Sequence, residues 1–139
     1  MKIAFIFLFL TLILAAEAAD KKEVDELWWT QVNGSYSGYL NENLTPVITE
    51  FLLVNDSLVG EYLMDEDGEM VPGLLDSMII INENTIEFTW FDKYGEGSAV
   101  FCFQEDCYRF EGYWTSAGSS VQASWWGQKT RTSFDTSRQ

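Results

Sequence analysis

The chain predicts an all-β domain: an antiparallel up-and-down meander of eight strands that closes into a β-barrel, with a sandwich of two four-stranded sheets as the alternative. Three observations predict it. From Asn33 onward apolar and polar residues alternate with period two, the pattern of strands with one buried and one wet face. Turn residues recur every ~8–12 positions, the spacing of sandwiches and barrels. Glycine also stands repeatedly two places from an aromatic, in Gly34-Ser35-Tyr36, Gly60-Glu61-Tyr62, Gly112-Tyr113-Trp114 and Trp125-Trp126-Gly127. Residues i and i+2 share a face, so small and large side chains line the same wall, as a tapering barrel interior requires.

The elements follow in order. Lys2, the apolar run from Ile3 to Leu14 and the small-x-small triplet Ala16-Glu17-Ala18 read as a signal peptide over residues 1–19. The run is shorter than the ~20 apolar residues of a spanning helix, so export without a membrane anchor is expected. Residues 20–32 form an N-terminal segment, 33–130 the barrel and 131–139 a polar tail. Helix is confined to the signal and at most a turn near residues 22–28. The strands are expected at 34–40, 46–54, 57–64, 70–80, 85–93, 98–103, 107–115 and 120–129. Between them lie explicit turn signals, among them Asn55-Asp56-Ser57, Asp65-Glu66-Asp67-Gly68, Asn82-Glu83-Asn84, Tyr94-Gly95-Glu96-Gly97 and Ser116-Ala117-Gly118-Ser119. Every connection is short, which makes the topology a meander.

Composition narrows the function. Aromatics make up 16% of the chain, which is ample for a packed core. The net charge of −14 repels phosphate backbones and anionic headgroups, so nucleic acid and anionic membranes are not expected partners. The absence of histidine removes Ser–His and Cys–His nucleophiles, histidine bases and histidine metal sites together. Paired carboxylates could still hydrolyse glycosides, yet the acidic residues fall in turns or on outward strand positions, so no enzyme activity and no catalytic residue are expected. Asp65-Glu66-Asp67-Gly68-Glu69 resembles a calcium loop only in part. Leu74 stands where the EF-hand pattern needs Glu, and an acidic hairpin turn is the simpler reading. No metal and no cofactor are expected.

Cys102 and Cys107 flank Phe103-Gln104-Glu105-Asp106. In an exported chain a hairpin with that four-residue loop would set them opposite each other, and the expectation is a disulfide worth ~2 kcal/mol. Asn33, Asn43 and Asn55 begin Asn-x-Ser/Thr triplets and are glycosylation acceptors in a host that uses them.

The Gly-aromatic first strand, Gly60 to Tyr62 in the third, Ile86-Glu87-Phe88-Thr89-Trp90 in the fifth, Phe101 in the sixth and Phe110-Glu111-Gly112-Tyr113-Trp114 in the seventh resemble the calycin group of eight-stranded barrels, most of all its avidin-type members. The resemblance spans roughly residues 33–134 and implies the fold and an internal ligand site. The ordered hydroxyl, Asn and Asp residues that mark biotin binding are not traced here, so biotin is not implied.

The expected function is a secreted binding protein, extracellular or periplasmic, that holds a small, largely apolar molecule in or at the mouth of the barrel. Tyr36, Tyr62, Phe88, Trp90, Trp114 and Trp125 are the inward candidates to line the site. The alternative is a filled barrel that engages an extracellular protein or glycan through its acidic surface and an outer aromatic platform of Tyr39, Tyr113 and Trp126.

Overall fold

The computed structural model describes residues 28–130; the expected signal peptide over residues 1–19, residues 20–27 and residues 131–139 lie outside the described residues. Its strands are β1 (Gly34–Leu40), β2 (Thr45–Val54), β3 (Ser57–Glu66), β4 (Glu69–Ile80), β5 (Thr85–Asp92), β6 (Gly95–Gln104), β7 (Arg109–Ser116) and β8 (Ala123–Lys129). Each pairs antiparallel with its successor. β8 returns to β1, with Tyr36 opposite Lys129 and Leu40 opposite Trp125, and the sheet is a closed barrel. Closure excludes the sandwich.

The turns that set this register are those the sequence advertises. Asn55 and Asp56 join β2 to β3 with φ of 48° and 60°, and Asp67 and Gly68 join β3 to β4 with φ of 54° and 94°. Two central residues in the left-handed region give the turn whose twist matches a hairpin. Between β4 and β5 the register shifts at Asp76 to Ile79, where Ser77 has φ of 57°. Such a bulge bends the strand and tightens its twist, which helps eight strands to close.

The expected disulfide is absent, and parity explains why. β6 begins at Gly95 and runs to Gln104, which pairs with Arg109; the loop is therefore Glu105 to Tyr108, shifted by two residues from the expected one. Cys102 sits opposite Glu111 and points outward, because Phe101 and Phe103 beside it point in. Cys107 lies in the loop at φ of 64° and turns into the core, 7% exposed. The two thiols occupy opposite faces of the wall, and both are free.

The barrel interior divides into two halves. At the end that receives the N-terminus, Tyr36, Phe51, Phe88, Phe101, Phe103 and Phe110 fill the axis. Their rings meet mainly edge-on, Tyr36 with Phe51 at 5.5 Å and Phe51 with Phe101 at 5.9 Å, the arrangement ring quadrupoles favour. A 3₁₀ turn over Trp28–Val32 lies across this end and buries Trp29 and Val32. It is tied down by polar contacts as well. The single proton of the Tyr36 hydroxyl is shared between Cys107 O at 2.6 Å and Val32 O at 2.9 Å, and Lys129 Nζ donates to Gln31 O at 2.6 Å.

Candidate functional site

The opposite end is a cup of about 220 Å³. Its floor is Trp125, which is 2% exposed and divides the two halves. On one side its ring meets Phe101 at 4.9 Å; on the other it meets Tyr62, also at 4.9 Å, nearly perpendicular in both cases. The indole nitrogen donates to Thr49 Oγ1 at 3.1 Å, which satisfies the one buried polar residue among those described. Leu40, Tyr62, Met64, Trp90 and Trp114 form the wall, and Asn41, Glu66, Asp92, Tyr94 and Ser116 form the rim.

The cup is hollow because its rings lie against the wall instead of crossing the axis. Tyr62 pairs across the ladder with Gly73 and Trp90 pairs with Gly97, so each ring spreads over a strand position with no side chain. A β-carbon on Gly73 would collide with the Tyr62 ring, and one on Gly97 would collide with Thr115 O and come within 2.7 Å of the Trp90 nitrogen. Polar tethers hold the rings down. Trp90 Nε1 donates to Thr115 O at 2.9 Å, Trp114 Nε1 to Asn41 Oδ1 at 2.9 Å and the Tyr62 hydroxyl to Asp92 Oδ2 at 2.8 Å. Trp90 and Trp114 then meet edge-on at 5.5 Å.

The electrostatics of the mouth are one-sided. Glu66 and Asp92 are its charged residues, and no Lys or Arg lines the cup. Tyr94 bridges them, its hydroxyl donating to Glu66 Oε2 at 2.6 Å and its backbone nitrogen to Asp92 Oδ1 at 2.8 Å. Burial first, then the hydrogen bond and charge of Asp92, hold the Tyr62 phenol well above the ordinary tyrosine range. Tyr62 thus stays a neutral donor across physiological pH. The bond to Glu66 raises the Tyr94 phenol in the same direction. Lys93, just outside, faces Glu69 at 3.1 Å.

Of the expected lining residues, the structure brings Tyr62, Trp90, Trp114 and Trp125 into the cup and places Tyr36 and Phe88 in the packed half. Of the expected outer platform, Tyr39 and Trp126 are cross-strand partners with rings 5.4 Å apart, and the Arg109 guanidinium lies 6.0 Å from the Trp126 ring. Tyr113 does not join them; it stands opposite Ser124 and Val100. Asn33, Asn43 and Asn55 are all exposed, Asn33 ahead of β1 and the others in hairpin connections. The rim residues Asn41, Glu66, Asp92 and Tyr94 were not anticipated from the sequence. A signal existed for two of them. Glu66 shares parity with Tyr62 and Met64, and Asp92 with Phe88 and Trp90, so both carboxylates end inward-facing rows.

No protein-family model matches the chain. No curated protein matches it either. Among solved structures it is similar to a redesigned β-barrel, with a TM-score of 0.62 at 11% sequence identity over 73% of this chain and 94% of that one. At that identity the likeness speaks for the fold alone, and the fold it supports is the closed eight-stranded antiparallel barrel described above.

Proposed function

We propose that this chain is an exported, non-enzymatic binding protein that holds a small, largely apolar ligand in the open half of its barrel. The observation that carries the reading is the asymmetry of the interior. A chain with enough aromatic volume to fill one half leaves the other as a walled space of about 220 Å³ floored by Trp125. Ligand sites are concave and mostly apolar with a few placed polar groups, and this cup has that composition. Its volume exceeds the roughly 150 Å³ cavity that accepts a benzene ring and falls below the roughly 300 Å³ at which drug-sized pockets begin. The ligand is therefore a small ring system or short chain. The avidin-type resemblance, which implies an internal ligand site, agrees with this, and the signal-like segment over residues 1–19 supports export.

A second reading has one supporting observation. The outer wall carries a groove of about 300 Å³ lined by Tyr39, Pro46, Ile48, Leu63, Met70 and Trp126, and Ile48 and Met70 are about half exposed. An extracellular protein or glycan could use it. A neutral naphthalene probe that quenches tryptophan emission distinguishes the two. The cup requires that Trp114→Ala weaken the probe at least about tenfold while Trp126→Ala leaves it in place. The reverse result overturns the cup, as does a folded protein that binds no probe.

A further inference from the structure

Resting on the cup reading above, we infer that the ligand is a cation, a small ring system carrying a protonated amine, and that Glu66 and Asp92 hold its charge at the mouth. The cup has spent its donors and kept its acceptors. Each indole and phenol donor there is already committed inside the protein: Trp90 to Thr115 O, Trp114 to Asn41, Trp125 to Thr49, Tyr62 to Asp92 and Tyr94 to Glu66. A ligand that needs donors, such as a carboxylate, a phosphate or a urea carbonyl, would find only the Asn41 amide and the Ser116 hydroxyl at the rim. No basic side chain lines the cup to balance an anion.

Acceptors and π-faces remain in supply. Asp92 accepts the Tyr62 hydroxyl on one oxygen and the Tyr94 nitrogen on the other, Glu66 accepts the Tyr94 hydroxyl on Oε2, and each carboxylate oxygen carries two lone pairs. Below them stand three tryptophans and Tyr62, whose ring faces attract cations, most strongly when water is excluded. A protonated amine satisfies both layers at once: its N–H groups donate to the carboxylates and its charge meets the aromatic wall. The hydrocarbon part descends toward Trp125 and Met64. The chain's net charge of −14 acts in the same sense at longer range, concentrating cations around the mouth.

The experiment titrates the full chain by calorimetry with three probes built on one bicyclic ring: 1-naphthylmethylamine as ammonium, 1-naphthylmethanol as the neutral isostere and 1-naphthoate as the anion. The ammonium should bind at least about tenfold tighter than the alcohol, and the carboxylate weaker than both. Glu66→Gln should remove most of that advantage. Glu50→Gln removes one negative charge from an exposed position of β2 that does not line the cup, and should leave that advantage within about twofold. Equal affinity for ammonium and alcohol overturns the charge preference while leaving the apolar cup standing. Equal losses in the two variants overturn the local role of Glu66. A folded barrel that binds none of the three overturns both this inference and the cup reading.

Discussion

The two halves of this barrel are built from the same kind of residue and reach opposite results. Both are dominated by aromatic rings pointing inward from alternating strand positions. At the N-terminal end six inward aromatics meet on the axis under the 3₁₀ turn, five of them phenylalanines with no polar handle and the sixth Tyr36, whose hydroxyl ties the turn and the Cys107 loop rather than the wall. At the other end they are tryptophans and a tyrosine, each with a donor that finds a partner on the wall or rim. For Tyr62 and Trp90 the tether and the glycine opposite together lay the ring flat. Aromatic content alone does not decide whether a small barrel is solid or hollow, and neither does a glycine across the ladder, since Phe51, Phe101 and Phe110 also face glycines; the polar atom that ties a ring to the wall is what differs.

The packed half should respond most to the loss of a ring. Phe101 is fully buried and touches Phe110 at 4.6 Å and Trp125 at 4.9 Å. Phe101→Ala should cost ~3–5 kcal/mol in urea unfolding, transfer and cavity terms together. The cup should respond to gain rather than loss. Gly97→Ala drives a β-carbon into the Thr115 carbonyl of the neighbouring strand, and overpacking against backbone should cost ~2–3 kcal/mol and release the Trp90 indole. A cost below ~1 kcal/mol for either variant would dissolve the contrast.

The next effect concerns the bonds that hold the 3₁₀ turn over the packed end. Tyr36→Phe leaves Cys107 O and Val32 O without their hydroxyl, at a cost of ~1–2 kcal/mol. It should also alter the alkaline limit of stability. Burial first, then the neighbouring Cys107, raises the Tyr36 phenol above its ordinary value near 10. Both folded and unfolded forms are protonated below pH 10, so this group has no effect there. Above pH 10 the unfolded chain loses its proton first, and stability falls with rising pH until the folded phenol also ionises. Unfolding titrations from pH 8 to 11.5 should show that fall in the parent, and a shallower one in Tyr36→Phe because one of the groups raised in the folded state is gone while Tyr62, Tyr94 and Cys107 remain. The smallest effect belongs to Trp114→Ala. Its ring is only partly buried, so stability should drop by ~1 kcal/mol or less even where ligand affinity collapses. A loss as large as that of Phe101→Ala would mean that the cup is structural core.

Most of the architecture was legible because period-two alternation and turn chemistry agree along this chain. Ile86, Phe88 and Trp90 face inward as read, and Asp67-Gly68 adopts the two left-handed residues its composition suggests. The misreadings share one cause, the ends of strands. β6 and β7 extend their ladder to the Gln104–Arg109 pair, which displaces the loop and puts Cys107 on the opposite face from Cys102. Three successive residues, Glu105, Asp106 and Cys107, hold φ between 53° and 64° without a glycine among them. Asp106 is one of the usual non-glycine occupants of that region, but nothing about Glu105 or Cys107 announces it. The carboxylates of the mouth were hidden for a related reason. Acidic residues near turns look like solvated charge until the inward parity of Glu66 and Asp92 is followed to the last residue of each strand.

Closure of β8 onto β1 carries a consequence for how this molecule meets others. No strand among the described residues presents a free row of backbone donors and acceptors. Recognition by strand addition, a common way for sheets to capture extended peptides, is therefore closed to the folded barrel, and a partner must be read by side chains at the mouth or on the outer wall. The same feature shows what proteolysis would do. A cut in the connection between Ser116 and Ala123 that frees β8 would expose one long edge on β1 and another on β7 at once. Two complementary edges on one aromatic-rich molecule are the starting point for chains of barrels joined side to side.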